Sequence, residues 1–343
     1  MPIDIARQFD DSVKTVVPLG NGHINDTYLV ETSGQPFVLQ KINRRVFPQP
    51  ERIMANLRTL TRHLETAKET ENALQIPAVL TTGNGADYVS DDQGDIWRAL
   101  SYIDHSISLE TLGNLDEAGQ VGFALGKFHR MSQALPPDTL HDTLPGFHIA
   151  PQYFEHYRSV QSTSKIPENP FCAEFIERYQ HIVHDLESAK AGGLLTVRTI
   201  HGDPKLNNFL FDKDSRRIVS LIDLDTVKPG LIHYDIGDCL RSCCHDLTTD
   251  TFNLAICRAL LECYLAEMGD FLTEYDYRFL FPAIRLIPFE LGLRFYTDYL
   301  EGNRYFKVTA ADENMHRARS QFRLCESIDK QETAILRLLA SDS

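Results

Sequence analysis

The sequence predicts a two-lobed α+β protein, with a small antiparallel-sheet lobe over residues 1–103 and a larger, mainly helical lobe over residues 104–343. Three observations predict it. Short β-type runs punctuated by turn residues fill the first hundred positions. Apolar residues recur at helical spacing from residue 116 onward, and one compact strand-rich stretch, 199–227, interrupts the helices. At 343 residues the chain is long enough for two lobes, each with its own core.

Taken in order, 14–19 and 27–31 are β-type runs either side of a Gly/Asn cluster, and 36–42 is a third strand after the Ser33-Gly34 turn. Residues 50–67 form a helix with Ile53, Met54, Leu57, Leu60 and Leu64 on one face. Strands at 78–82 and 96–103 follow, separated by the turn-rich Asp91-Asp92-Gln93-Gly94. Helices are expected over 116–131, 171–189, 251–268 and 275–300. Within the strand-rich stretch, the apolar runs 209–211 and 218–222 flank the polar turn 212–217, which is a hairpin pattern.

Composition narrows the function classes. A formal net charge of −14 repels phosphate backbones, so a nucleic-acid partner is excluded. A bound nucleotide would then need Mg²⁺ and local basic groups. The most apolar late segment, 279–296, is interrupted by Arg285, Pro288, Glu290 and Arg294, which argues against a membrane span. The opening MPIDIARQFD lacks the pattern of a secretory signal. Seven cysteines, an odd number with no C-x-x-C pair, read as reduced core thiols of a cytoplasmic protein. Oligomeric state is not legible.

The most informative segment is His201-Gly202-Asp203-Pro204-Lys205-Leu206-Asn207-Asn208. An Asp followed five residues later by an Asn has the spacing of the protein-kinase catalytic loop, H-R-D-x-x-x-x-N. There the Asp accepts the proton of the attacking hydroxyl and the Asn holds a metal ion. Asp223 follows in Leu221-Ile222-Asp223-Leu224-Asp225, and the hairpin between returns it to Asn208 as a second oxygen ligand for Mg²⁺. Phosphoryl transfer needs alignment and charge neutralisation more than covalent chemistry, and Asp203, Asn208 and Asp223 meet that need.

On the nucleotide side, Gly20-Asn21-Gly22-His23-Ile24-Asn25 lies between two strands rather than opening a helix. That is the setting in which a kinase loop covers ATP phosphates. Residues 37–42 should carry the lysine for the α- and β-phosphates. Gln40 occupies its place, and strand alternation turns Lys41 to the other face. Either a bulge presents Lys41, or Gln40 works with another basic group; Glu51 or Glu65 could be the acidic partner. Ser101, Tyr102 and Ile103 sit where a hinge backbone would meet adenine.

With these residues laid out, the chain resembles the aminoglycoside phosphotransferase and choline kinase superfamily, whose fold is protein-kinase-like. Within it, the sequence is similar to bacterial N-acetylhexosamine 1-kinases. The similarity is carried by residues 22–28, 38–43 with Val46-Phe47, Trp97-Arg98, 125–129 and the catalytic loop. It continues through 222–227 with Pro229-Gly230, 235–238, and 294–300 with 305–307. The resemblance implies ATP and Mg²⁺ as cofactors and a small-molecule acceptor, in the subfamily the anomeric hydroxyl of an N-acetylhexosamine. It implies Asp203 as base, Asn208 and Asp223 as metal ligands, and His201 as a structural brace. Gly202 departs from the Asn usual in the hexosamine kinases.

Asp235 and Asp238, with Arg241, read as an ion-pair and capping network fixing the loop after the metal site. Arg294, Asp298 and Tyr299 share one helix face by three- and four-residue spacing and are the candidate acceptor contacts. Two alternatives stand beside the sugar kinase. One is a kinase of another small hydroxyl compound, an amino alcohol, methylthio-sugar or aminoglycoside. The other is a non-catalytic nucleotide-binding regulator.

Overall fold

Alternation at period two and a helical stripe at period 3.6 give an antiparallel-sheet N-terminal region and a mainly helical C-terminal region in the computed structural model, which describes residues 2–20, 24–66 and 74–340. A short helix α1 (Pro2–Ala6) precedes strands β1 (Thr15–Pro18), β2 (Asp26–Glu31) and β3 (Phe37–Lys41). Helix α2 (Pro50–Thr66) follows, then β4 (Val79–Leu80), β5 (Val89–Ser90) and β6 (Ile96–Ser101). These strands form one antiparallel sheet in the order β1-β2-β3-β6-β4, with β5 on the other part of β6. One side buries Val30, Phe37, Leu39 and Ala99 against Ile5 and Ala6 of α1. All five stripe residues of α2 are buried, in the main core with Ile42 and Val79.

Register decides which polar residues face the second region. Gln40 lies directly opposite Arg98, and Lys41 opposite Trp97. A one-residue slip would exchange the two faces.

The remaining chain is mostly helical. It contains β7 (Ser106–Ser108), α3 (Leu115–Ser132), α4 (Ala150–Thr163), α5 (Pro170–Tyr179) and α6 (Asp185–Ala191). Strands β8 (Arg198–Ile200), β9 (Phe209–Asp212), β10 (Ile218–Leu221) and β11 (Lys228–Gly230) come next. The chain continues with α7 (Ile232–Cys243), α8 (Leu254–Met268), α9 (Glu274–Leu300), α10 (Glu313–Lys330) and α11 (Glu332–Ala340). Helices α3 and α8 approach closely because Gly122 has no Cβ; one there would stand 2.0 Å from the Leu260 carbonyl oxygen. Helix α9 runs through Pro282 and Pro288 without ending and opens on a capping box, Thr273 with Asp276.

Three expected elements differ. The helix over 171–189 is broken by a tight 3₁₀ segment, Gln180–His184, in which the adjacent Ile182 and Val183 are both buried. The helix expected from residue 251 starts at Leu254, because the Asn253 side chain accepts from the Ala255 and Ile256 N–H groups. Thr251–Phe252 instead pairs with His245–Asp246 as a small hairpin. The strand at 78–82 shortens to two residues.

All seven cysteines are free, and six of them are buried. Among the described residues no helix is long and apolar enough to cross a membrane.

Candidate active site

The catalytic loop takes its shape from buried groups around it. His201 donates from Nε2 to the Ile222 carbonyl (2.9 Å) and accepts at Nδ1 from the Asp203 N–H (3.2 Å). Burial pushes its imidazole below the ordinary value, so a neutral ring braces both the Asp203 turn and the residue before Asp223. Beneath it, Asp235 Oδ2 accepts from the His201 N–H (2.7 Å) and from His129 (2.9 Å), while Oδ1 accepts from the Gly202 N–H (2.8 Å). Gly202 adopts φ +88°, and a Cβ there would lie 2.5 Å from the Thr226 carbonyl oxygen. A side chain at this position would displace that loop, which explains glycine here.

The β9–β10 hairpin delivers the third residue. Leu221 pairs with Phe209, and the Ile222 N–H donates to the Asn208 carbonyl at 2.9 Å, so Asp223 follows directly beside Asn208. Asp223 itself is left-handed (φ 64°, ψ 52°), which ends the strand and starts the 3₁₀ turn Leu224–Thr226. Asn208 donates through Nδ2 to the Asp203 carbonyl (2.7 Å), which leaves its Oδ1 free to act as a ligand.

Lys205, which the sequence reading did not single out, completes the cluster. Its ammonium meets Asp203 Oδ2 at 2.6 Å. Burial opposes its charge, but Asp203 and Asp223 together raise its pKa. Asp223 opens on solvent yet is hemmed in by protein. Loss of surrounding water, with Asp225 and Asp203 nearby, pushes its carboxyl up to about 6 against the pull of Lys205 and Arg98. The Asp223 carboxylate and the Asn208 amide oxygen are hard-oxygen donors suited to a small divalent cation.

Asp238 lies below this cluster. Burial opposes its ionisation, but Arg241 (Nε to Oδ1, 2.8 Å) and His148 hold its carboxyl below the ordinary range.

The helix-face candidates separate. Arg294, Thr297 and Asp298 of α9 and Glu301 just after it line a cavity of about 260 Å³ with Phe147, Tyr153, Tyr305 and Phe306. The Arg294 guanidinium sits over the rings of Phe147 and Tyr153 at 5.0 Å each and of Phe306 at 5.7 Å. Asp298 lines the cavity and also anchors a loop. Its Oδ1 accepts from the Arg304 and Tyr305 N–H groups and its Oδ2 from Phe306 N–H and Asn314, holding the segment that carries Tyr305 and Phe306. Tyr299 is corrected: it packs on Tyr296, because five residues after Arg294 is roughly 140° around the helix. His148 joins this cavity to the catalytic loop, donating to the Gly202 carbonyl (2.8 Å) and to Glu290 (3.2 Å). Burial disfavours its charge, but Glu290 outweighs that and its pKa is raised. A larger hollow of about 750 Å³ between α3, α8 and residues 215–217 contains none of the catalytic-loop residues.

Nucleotide-side expectations change most. Asn21 and Gly22 lie outside the described residues; Gly20 is exposed with φ +67°. Asn25 is buried and donates to Asp225 (2.8 Å), so it is corrected from phosphate contact to inter-lobe bond. Lys41 turns to the outer face, pairing with Asp95 at 2.5 Å beside Trp97, so no bulge presents it to the cleft. Gln40 instead receives Arg98 Nε (3.0 Å) and Nη2 (2.7 Å). Glu51 and Glu65 are both exposed; α2 turns Asn56 inward instead, bonded to the His141 and Val227 carbonyls. Ser101 ends β6 opposite Phe37, Tyr102 is half-buried, and the Ile103 carbonyl accepts from Ser106 Oγ (2.7 Å).

The model of the phosphotransferase enzyme family matches residues 15–272, which contain Asp203, Lys205, Asn208 and Asp223. The chain belongs to the phosphotransferase enzyme family. This phosphotransferase therefore acts on a hydroxyl of a small molecule, as its family does. Its fold is similar to that of a microcompartment-associated aminopropanol kinase, with TM-score 0.71 at 20% identity over 98% of both chains. It is also similar to an aminoglycoside phosphotransferase from Alicyclobacillus acidocaldarius (TM-score 0.63, 14% identity, 98% of this chain and 97% of that one). A third is amicoumacin kinase hAmiN in complex with AMP-PNP, Ca²⁺ and Ami (TM-score 0.61, 18% identity, 96% and 92%). At such identities the likeness speaks for the fold, and the protein-kinase-like superfamily is supported. The narrower likeness to N-acetylhexosamine kinases draws no support from these comparisons.

Proposed function

We propose that this phosphotransferase transfers the γ-phosphoryl group of ATP, taken as its Mg²⁺ complex, to a sugar hydroxyl. The acceptor read from the sequence resemblance is the anomeric hydroxyl of an N-acetylhexosamine. The observation that carries the reading is the convergence of Asp203, Lys205, Asn208 and Asp223, one residue from the Gly202 carbonyl that His148 ties to the Arg294 cavity. Asp203 takes the proton of the acceptor hydroxyl as the new O–P bond forms and the bond from the γ-phosphorus to the bridging oxygen breaks. Lys205 holds the Asp203 carboxylate in place and offsets its charge. Asn208 through Oδ1 and Asp223 through its carboxylate would hold Mg²⁺, which when bound neutralises charge on the phosphates. The backbone of residues 101–103 would receive adenine, and the lobes divide near residue 103.

Arg294 and the aromatic rings around it suit a neutral, hydroxyl-rich acceptor with an apolar face. Of the two carboxylates lining that cavity, Asp298 is committed to the loop backbone and Glu301 faces His156. This favours a sugar over an amino alcohol or aminoglycoside. Seven free thiols support a cytoplasmic location.

An ADP-release screen across N-acetylhexosamines, other sugars, amino alcohols and aminoglycosides tests the reading. Turnover should rise with the hexosamines and fall away for polycations. Nucleotide binding with no acceptor raising turnover would favour the non-catalytic regulator.

A further inference from the structure

Two residues of the N-terminal sheet region, Arg98 and Asn25, converge on the carboxylate of Asp225. Arg98 of β6 pairs through Nη2 with Asp225 Oδ1, and Asn25, just before β2, donates to Oδ2 at 2.8 Å. Gln40 of β3 binds Arg98 and in turn donates to Thr27 Oγ1 of β2 (3.1 Å). Asn25 Oδ1 accepts from the Asn43 N–H at 3.0 Å, and Thr143 Oγ1 donates to the Asp225 carbonyl at 2.6 Å. Arg98 and Asp225 are 1% and 2% exposed. Among the described residues Arg98 Nη1 has no partner.

Stability does not explain this arrangement. A buried ion pair roughly repays its own desolvation, and apolar residues of similar volume would hold the lobes together at least as well. What the pair supplies is geometry. Both Asp225 oxygens are fixed, and Asp225 sits in the 3₁₀ turn that begins immediately after the left-handed Asp223. Meanwhile Lys41, the nearby strand lysine, is bound on the outer face to Asp95.

We propose that Arg98 is a positioning residue for phosphoryl transfer: through Asp225 it fixes the turn bearing Asp223 and ties it to the strands that frame the glycine-rich loop. The clasp of Arg98, Gln40, Asn25 and Asp225 thereby takes the place of a strand lysine paired with a helix acid. It makes the setting of the metal-binding turn follow the position of the sheet above the nucleotide. The inference rests on the reading of Asp223 as a ligand of the Mg·nucleotide.

The test compares wild type, Arg98→Met, Asp225→Asn, the double variant Arg98→Met/Asp225→Asn, and Gln40→Met. Titration of Mg·AMP-PNP into wild type comes first; no binding there would defeat the proposed function itself. For the variants, the half-saturating Mg²⁺ concentration and the KM for Mg·ATP should rise about 10- to 100-fold, as for residues that orient a metal ligand. The KM for the acceptor should stay near wild type. The single variants leave one charge buried alone and lose stability. The double variant removes both charges and should melt close to wild type while losing no more metal affinity than Arg98→Met, because the pair acts as a unit. If the double variant does not fold, Gln40→Met, at the half-buried rim, should still raise the Mg²⁺ requirement. A folded double variant with wild-type Mg²⁺ dependence overturns the proposal, as does an unchanged requirement in Gln40→Met. Losses shared equally by acceptor and nucleotide overturn it too.

Discussion

Replacing Asp203 by Asn should lower kcat by about 100- to 10,000-fold, the usual contribution of a positioned general base. The amide keeps the shape of the side chain and cannot take the acceptor proton. The loop itself does not depend on the Asp203 carboxylate: its backbone is held by His201 and by the Asn208 bond to the Asp203 carbonyl. The melting temperature and the affinity for Mg·nucleotide should therefore remain close to wild type. Steady-state kinetics with calorimetric nucleotide titration separates the two effects. A large loss of nucleotide affinity with kcat intact would reverse the role given to Asp203.

Asp223→Asn should act in two opposite directions. Its carboxyl stands at about 6 in the folded protein against an ordinary 3.8. With a raised folded pKa, the ionised carboxylate costs stability. That cost is fully present above pH 6, shrinks as pH falls from 6 towards 3.8, and is gone below both values. The Asn variant, whose side chain tolerates left-handed backbone, should accordingly melt higher than wild type at pH 7–8, with the gap closing below pH 6. Mg·ATP should stabilise wild type strongly and the variant little, and transfer should be nearly lost. Melting curves across pH, with and without Mg·ATP, report both effects. A variant that melts no higher at neutral pH would contradict the electrostatic setting described for Asp223. A variant with full activity would remove Asp223 from the metal site.

Much of this was legible in the sequence where one local signal decides the outcome. The five-residue spacing from Asp203 to Asn208 survives any packing, and the apolar runs either side of residues 212–217 suffice for the hairpin that returns Asp223. Strand alternation correctly set Gln40 and Lys41 on opposite faces. What remained hidden depends on partners distant in the chain. Arg98 reads as one polar residue in an apolar strand until the register sets it against Gln40 and the fold sets it against Asp225. The loop N–H groups that Asp298 accepts come from a segment with no periodic signal. Tyr299 was misplaced by stretching a four-residue rule to five. Helix α4 carries a weak stripe, and α7 is buried nearly all round, with Asp235 and Asp238 among its buried residues.

The central claim is that the cluster around Asp203 moves a phosphoryl group from nucleotide to an acceptor hydroxyl. Phosphorus NMR of the wild-type enzyme with Mg·ATP and N-acetylglucosamine tests it most directly. The predicted result is loss of the γ-phosphate resonance, with matching growth of ADP and a sugar 1-phosphate, all dependent on Mg²⁺ and absent in Asp203→Asn. Release of inorganic phosphate alone, or an unchanged ATP spectrum with every acceptor offered, would contradict the claim.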